Sequence, residues 1–131
     1  MRTLGIAPAR KKKRQIELEL RKKALLVALN GSKSMVCYGL ATSKPRLRSE
    51  LGLHLSTLSA AHQNSPIGVV VMDLGNGQVR LSLRTCGNTN VAEICREMGG
   101  GGHPRAAGAT VSKRTFYRFW VIRKDFFLPS T

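Results

Sequence analysis

The residues of this chain best suited to chemistry lie in one stretch, Gly99-Gly100-Gly101-Gly102-His103-Pro104-Arg105-Ala106-Ala107-Gly108-Ala109, where one imidazole and one guanidinium rise from almost bare main chain. A run of glycines loses much conformational entropy on folding. It is expected where the backbone takes unusual dihedrals or a ligand comes very close to it. Backbone N–H groups exposed in a glycine turn form a concave anion site, and His103 and Arg105 can add donors at its rim. Ala106, Ala107 and Gly108 are small enough to let the next strand pack close behind. The competing reading is a flexible linker, which would gain nothing from the His-Pro-Arg-Ala-Ala insert. No Gly-Lys-Ser/Thr follows, so the stretch is neither a P-loop nor a Rossmann fingerprint. The expectation is a phosphate- or nucleotide-binding loop using Gly100, Gly101, Gly102, His103 and Arg105.

A second group of donors precedes it. Residues 79–85 alternate, with Val79, Leu81 and Leu83 on one face and Arg80, Ser82 and Arg84 on the other. Two guanidinium groups and a hydroxyl therefore project side by side from a strand, either as a binding surface or as a solvated sheet face. This strand is the return limb of a hairpin: residues 67–74 are apolar on both faces, as in an interior strand, and Gly75-Asn76-Gly77 is a tight-turn signal.

Stepping outward, Asn90 starts a helix with a capping pattern to Glu93; Val91, Ile94, Cys95 and Met98 line its apolar face, and Gly99 stops it. Residues 35–42 read as a short buried strand. Ser43 is a candidate cap and Pro45 a first-turn residue for a helix whose Leu47, Leu51, Leu55 and Leu58 form one apolar stripe. His54 and His62, on or just past that helix, lack ligand partners nearby and read as structural or surface residues. Residues 15–29 are expected to be one helix ended by Asn30-Gly31-Ser32, although Ile16, Leu18 and Leu20 alternate as in a strand.

The charge balance points to a partner. Among 131 residues, 22 Lys and Arg against 7 Asp and Glu give a net charge of +15, which favours a polyanion, either nucleic acid or an anionic membrane. The longest apolar run, residues 67–72 with Gly68 inside it, is strand-sized, far short of the roughly 20 residues of a membrane span, so no membrane is expected. Cys37, Cys86 and Cys95 form no Cys-x-x-Cys pair and read as buried reduced thiols. The start carries Arg10-Lys11-Lys12-Lys13-Arg14 and no acid before residue 17. It reads as a transit peptide, a nuclear signal or a basic arm reaching into RNA, with the arm preferred.

The series Val79-Arg80-Leu81-Ser82-Leu83-Arg84, then Asn90-Val91-Ala92-Glu93-Ile94, then the glycine stretch 99–108, resembles the DHH-associated domain of the DHH phosphoesterases. The resemblance spans residues 33–112, with a weaker echo at 47–55. That module ends RecJ-like exonucleases, oligoribonucleases and cyclic-dinucleotide phosphodiesterases, and a related version ends alanyl-tRNA synthetases. It implies an α/β (α+β) fold, a small mixed β-sheet with flanking helices. It also implies that Arg84 and the loop residues Gly100, Gly101, Gly102 and His103 contact a nucleotide or a single-stranded end, while a neighbouring DHH domain hydrolyses it.

In that family hydrolysis uses manganese or magnesium held by several Asp and His residues. Here the aspartates are Asp73 and Asp125, far apart, and no Asp-His-His triplet occurs. The expectation is a chain with no catalytic residues, metal or cofactor. It divides into a basic arm and helix (1–32), the binding domain (33–112) and a basic, aromatic extension (113–131). In the extension a strand is expected over 117–122, with Trp120 and Ile122 in the core and Phe126 and Phe127 in contact with a partner. The expected partner is RNA, rRNA or another structured RNA, with ribosomal or other ribonucleoprotein subunits. The expected setting is a mitochondrial or plastid ribosome, with the cytoplasm as the other compartment. The alternative is the substrate-binding part of a DHH phosphodiesterase or exonuclease whose metal-bearing domain lies elsewhere.

Overall fold

The computed structural model describes residues 3–29 and 35–123. Its elements are α1 (Thr3–Lys23), β1 (Leu25–Leu29), β2 (Met35–Ala41), a 3-10 turn (Pro45–Leu47), α2 (Arg48–His62), β3 (Ile67–Gly75), β4 (Gln78–Thr85), α3 (Val91–Glu97), β5 (Gly101–His103), β6 (Ala106–Ser112), α4 (Lys113–Phe119) and β7 (Trp120–Arg123). The strands form one seven-stranded sheet in the order β5-β6-β4-β3-β2-β1-β7. Only the β2–β3 pair is parallel, and α2 makes the crossover that a parallel pair requires. The expected small mixed sheet with flanking helices is therefore what the chain builds.

Each face of the sheet carries its own core. On one side Val79, Leu81 and Leu83 meet Val91, Ile94 and Cys95 of α3 and Phe116 of α4, with Trp120. On the other, Leu47 of the 3-10 turn, Leu51 and Leu55 of α2 and Ile16 of α1 cover Tyr38, Leu40 and Val70. The first half of β3, residues 67–70, is buried on both faces for this reason. Helix α2 sits close because residue 68 is glycine: a Cβ there would collide with the Gly52 carbonyl and lie 2.6 Å from the Ser56 nitrogen and 2.7 Å from the Leu55 Cβ. The hairpin β3–β4 turns at Asn76 and Gly77, both at positive φ (54° and 75°), the twist that a two-residue hairpin favours.

Several expectations are corrected. The segment 15–29 is not one helix. The helix ends at Lys23 and Leu25–Leu29 is a strand held between β2 and β7. Two strand neighbours, β2 close by in sequence and β7 far along it, satisfy its backbone and override local helix propensity. Within α1 the buried positions follow helical spacing: Ile16 is 4% exposed and Leu18 46%. Asn30, Gly31 and Ser32 lie outside the described residues. Ser43 does not cap α2, whose N-cap is Leu47 without a side-chain bond. Thr42 does related work, its hydroxyl accepting from the Lys44 N–H (3.1 Å) and donating to Glu19 Oε1 (2.8 Å). Burial pushes the Glu19 carboxyl up, but the Thr42 hydroxyl, Lys23 and Lys44 together hold it below its ordinary value, so it ties α1 to the β2–α2 connection as a carboxylate.

Of the thiols, Cys37 and Cys95 are buried, and burial pushes them up to about 12 and about 11; Cys86, just past the end of β4, is exposed instead. His54 and His62 are exposed. The stretch expected as an extension completes the same sheet: residues 113–119 are helical, not extended, and Trp120, 1% exposed, opens β7. Ser112 caps α4 by accepting from the Thr115 N–H at 3.0 Å, a local signal that overrides the alternation of aromatics. Phe126 and Phe127 lie outside the described residues.

Candidate nucleic-acid interface

The alternation of β4 places Arg80, Ser82 and Arg84 on the α2 side of the sheet, opposite the buried Val79, Leu81 and Leu83. Residues paired across a ladder share a face, so the register continues this face outward. Arg84 pairs with Ala106 and Ala106 with His103; Ser82 pairs with Gly108 and Gly108 with Gly101; Arg80 pairs with Thr110. The result is a sheet surface with guanidinium groups on β4 and almost no side-chain bulk beyond it. Helix α2 ends before it covers this surface. Its Arg48, Ser49 and Gly52 form one wall of a groove of about 210 Å³, and Arg80, Ser82, Leu83, Arg84, Ala106 and Ala107 complete the lining.

Among the described residues, three arginines and no acid line the groove. Arg84 Nη1 donates to the Ser49 carbonyl at 3.4 Å and Arg80 Nη1 to the Thr110 hydroxyl at 3.2 Å. Each bond holds the side chain in place and leaves most of its five N–H donors for a ligand. Gly108 lets Arg80 lie flat across β6: a Cβ there would stand 2.7 Å from Arg80 Nη2. Both arginines are half-buried, so an anion meeting them is partly shielded from water and attracted more strongly than at an open surface.

The glycine stretch is built differently from the open amide cradle that its composition suggests. Gly99, at φ +82°, ends α3, its N–H donating to the Arg96 carbonyl at 3.1 Å while the Gly100 N–H donates to Cys95 at 2.8 Å. Those amides close the helix and are not offered to a ligand. A Cβ at Gly100 would collide with the Gly108 carbonyl and lie 2.6 Å from Ala109 Cβ, so glycine there serves packing. Gly101–His103 is then the outer strand of a hairpin turning at Pro104 and Arg105. Main-chain bonds from Thr85 to the Arg105 carbonyl (3.1 Å) and from Val91 to the Pro104 carbonyl (2.9 Å) pin its tip. As the edge of the sheet, β5 keeps alternate N–H groups pointing away from β6.

His103 Nδ1 accepts from the Arg105 N–H at 3.1 Å. In the neutral ring that bond places the proton on Nε2, so the exposed side of the imidazole is a donor. The structure thus brings Arg80, Ser82, Arg84, Gly101 and His103 onto one face. Gly100 lies behind the hairpin, Gly102 projects to the opposite side of β5 from Gly101 and His103, and Arg105 sits in the turn, outside the groove lining. Sequence reasoning missed Arg48, Ser49 and Gly52. The available signal was Gly52 inside a helix, where glycine costs roughly 1 kcal/mol against alanine.

The basic run 10–14 is part of α1, not an extended arm. Lys11, Lys13 and Arg14 are exposed; Lys12 pairs with Glu50 at 2.9 Å. A different cavity, about 240 Å³ between α4 and the sheet, is lined by Val27, Val69, Phe116 and Trp120 among others. Its one cation, Lys113, pairs with Asp73 at 2.9 Å, which suits it poorly to a phosphate. Among the described residues no three His, Cys, Asp or Glu side chains gather as a metal site, and no helix is long and apolar enough to cross a membrane.

The profile of the DHHA1 domain matches residues 50–120, more than half of the chain. The chain belongs to the DHHA1 family. The match opens inside α2 and closes at Trp120, so the β4 arginines and the glycine hairpin fall within the DHHA1 segment. Among solved structures of similar fold is the pGpG-specific phosphodiesterase PggH from Vibrio cholerae, with 16% identity and a TM-score of 0.50 over 83% of this chain. The likeness is one of fold, and it covers 36% of that chain, so this DHHA1 chain spans about a third of its length. No curated protein matches. The profile found is that of the DHHA1 domain, without the DHH domain that carries catalysis in the resembled family.

Proposed function

We propose that this DHHA1 chain binds RNA at the groove between α2 and β4 and does not cleave it, as a fixed component of a ribonucleoprotein such as a mitochondrial or plastid ribosome. The observation that carries the reading is the acid-free groove in which Arg48, Arg80 and Arg84 converge beside a floor of Ser82, Ala106 and Ala107. Guanidinium forks match phosphate oxygens in pairs, and the small residues leave room for a sugar or base. The net charge of +15 supplies long-range attraction to a polyanion.

A salt titration tests this. With a labelled single-stranded tetranucleotide, three phosphate contacts give a slope of log K against log salt near −2, a loss of roughly 20-fold between 50 and 200 mM. A flat response, or no binding at low salt, contradicts the reading. The fold likeness to a phosphodiesterase favours a second reading, in which the groove holds a short nucleotide for a DHH domain on another chain. Manganese-dependent release of mononucleotides by a co-purifying pair, absent from either member by itself, would select it.

A further inference from the structure

The groove, about 210 Å³, is small beside the roughly 300–1,000 Å³ of sites for drug-sized ligands and takes only a short stretch of a strand. A longer strand must leave it, and one exit is marked by charge. Arg48, on the groove wall, is two residues from Arg46, which lines a shallow depression of about 280 Å³ with Lys11, Lys12 and Gln15 of α1. Arg46 Nη2 donates to Gln15 Oε1 at 3.1 Å, and Lys12 meets Glu50 at 2.9 Å. These two contacts fix α1 against the amino end of α2, so the basic run of α1 is aligned with the groove, not loose beside it. Glu50, engaged by Lys12, is the acid at this crossing; Glu17 and Glu19 lie further along α1.

We infer that groove and depression form one continuous track for single-stranded RNA, running from Arg80 and Arg84 past Arg48 and Arg46, around the amino end of α2, onto Lys11 and Lys12. The ligand class is a single strand of about ten nucleotides, longer than the short oligonucleotide that the groove takes by itself. The inference rests on the groove being the RNA site, and its consequences separate from that reading. The groove sets the grip, and the track sets the preference for length.

The test compares Lys11→Ala/Arg46→Ala with Arg84→Ala, each on a tetranucleotide and on a 12-nucleotide single strand. Both residues of the double variant are exposed, and the Lys12–Glu50 pair and the buried Ile16 still tie α1 to the rest of the fold, so its circular dichroism spectrum should be unchanged. The double variant is expected to lose roughly ten- to thirty-fold on the 12-mer at 0.1 M salt, to flatten its salt slope by about 1.4, and to bind the tetranucleotide as before. Arg84→Ala weakens both. If the double variant binds the 12-mer normally while Arg84→Ala still weakens it, the track is overturned and the groove stands. Equal loss on both lengths, or a 12-base-pair duplex bound as tightly as the single strand, also overturns the track. If neither variant changes binding, groove and track both fall.

Discussion

Replacing Arg80 and Arg84 together with alanine should lower the affinity for single-stranded RNA about 100-fold while leaving the fold intact. Each guanidinium is half-buried and held by one long internal bond, 3.2 Å to Thr110 and 3.4 Å to Ser49. Neither bond closes a core contact, so their loss should cost little stability. A hydrogen bond to a charged group contributes about 1.5–3 kcal/mol, and two such arginines account for about 3 kcal/mol, or two orders of magnitude in Kd. Lysine at both positions should restore only part of this, since an ammonium keeps the charge and loses the planar fork. His103→Ala should cost less than tenfold, because the imidazole is exposed and offers one donor. Fluorescence anisotropy at fixed salt measures all three. Near-equal affinity of the double alanine variant and the wild type would mean that the β4 face is only a solvated sheet surface.

Gly68→Ala should be strongly destabilising for so small a change. The added methyl meets the Gly52 carbonyl, with the Ser56 nitrogen at 2.6 Å and Leu55 Cβ at 2.7 Å. Two of these three are helix backbone, which no rotamer change can move. Helix α2 must therefore shift off the sheet, separating Leu51 and Leu55 from Val70 in one of the two cores. Overpacking costs about 1–3 kcal/mol and sometimes more, and the upper end applies when the obstruction is main chain. A drop in Tm on the order of 10 °C is expected, read by calorimetry. Gly52→Ala is the contrast. Its methyl would lie 3.4 Å from Arg84 Cβ, an ordinary contact, and alanine is the better helix former. That variant should keep or raise Tm while narrowing the groove beside Arg84. Equal Tm for Gly68→Ala and wild type would show that α2 is not seated on β3 as described.

What was legible in the sequence was what depends on near neighbours. The alternation of 79–85 gave both the core face and the arginine face of β4, because a strand's side chains alternate whatever pairs with it. Asn90 accepts from the Ala92 and Glu93 N–H groups, the local chemistry its spacing implied, and Asn76-Gly77 turns the hairpin as its composition required. Leu25–Leu29 was not legible, because its strand state is imposed by β2 and by β7, which lies some ninety residues further along the chain. Of the strand expected over 117–122, residues 117–119 were misread for the opposite reason: a helix capped by Ser112 runs through them, and the strand begins at Trp120. The glycine stretch stood out by composition, but composition could not separate an exposed amide cradle from a helix cap followed by an edge strand packed on β6. The wall of the groove was also hidden, since Arg48, Ser49 and Gly52 meet β4 only through the seating of α2 on Gly68.

The most direct test of where RNA binds is a titration of the isotopically labelled chain with a single-stranded oligonucleotide, following amide resonances. The account expects the largest shifts at Ser49, Gly52, Ser82, Arg84, Gly101 and Ala106, saturating together. Shifts gathered instead on α4 and β7, across the sheet from the arginines, or no shifts at low salt, would contradict it.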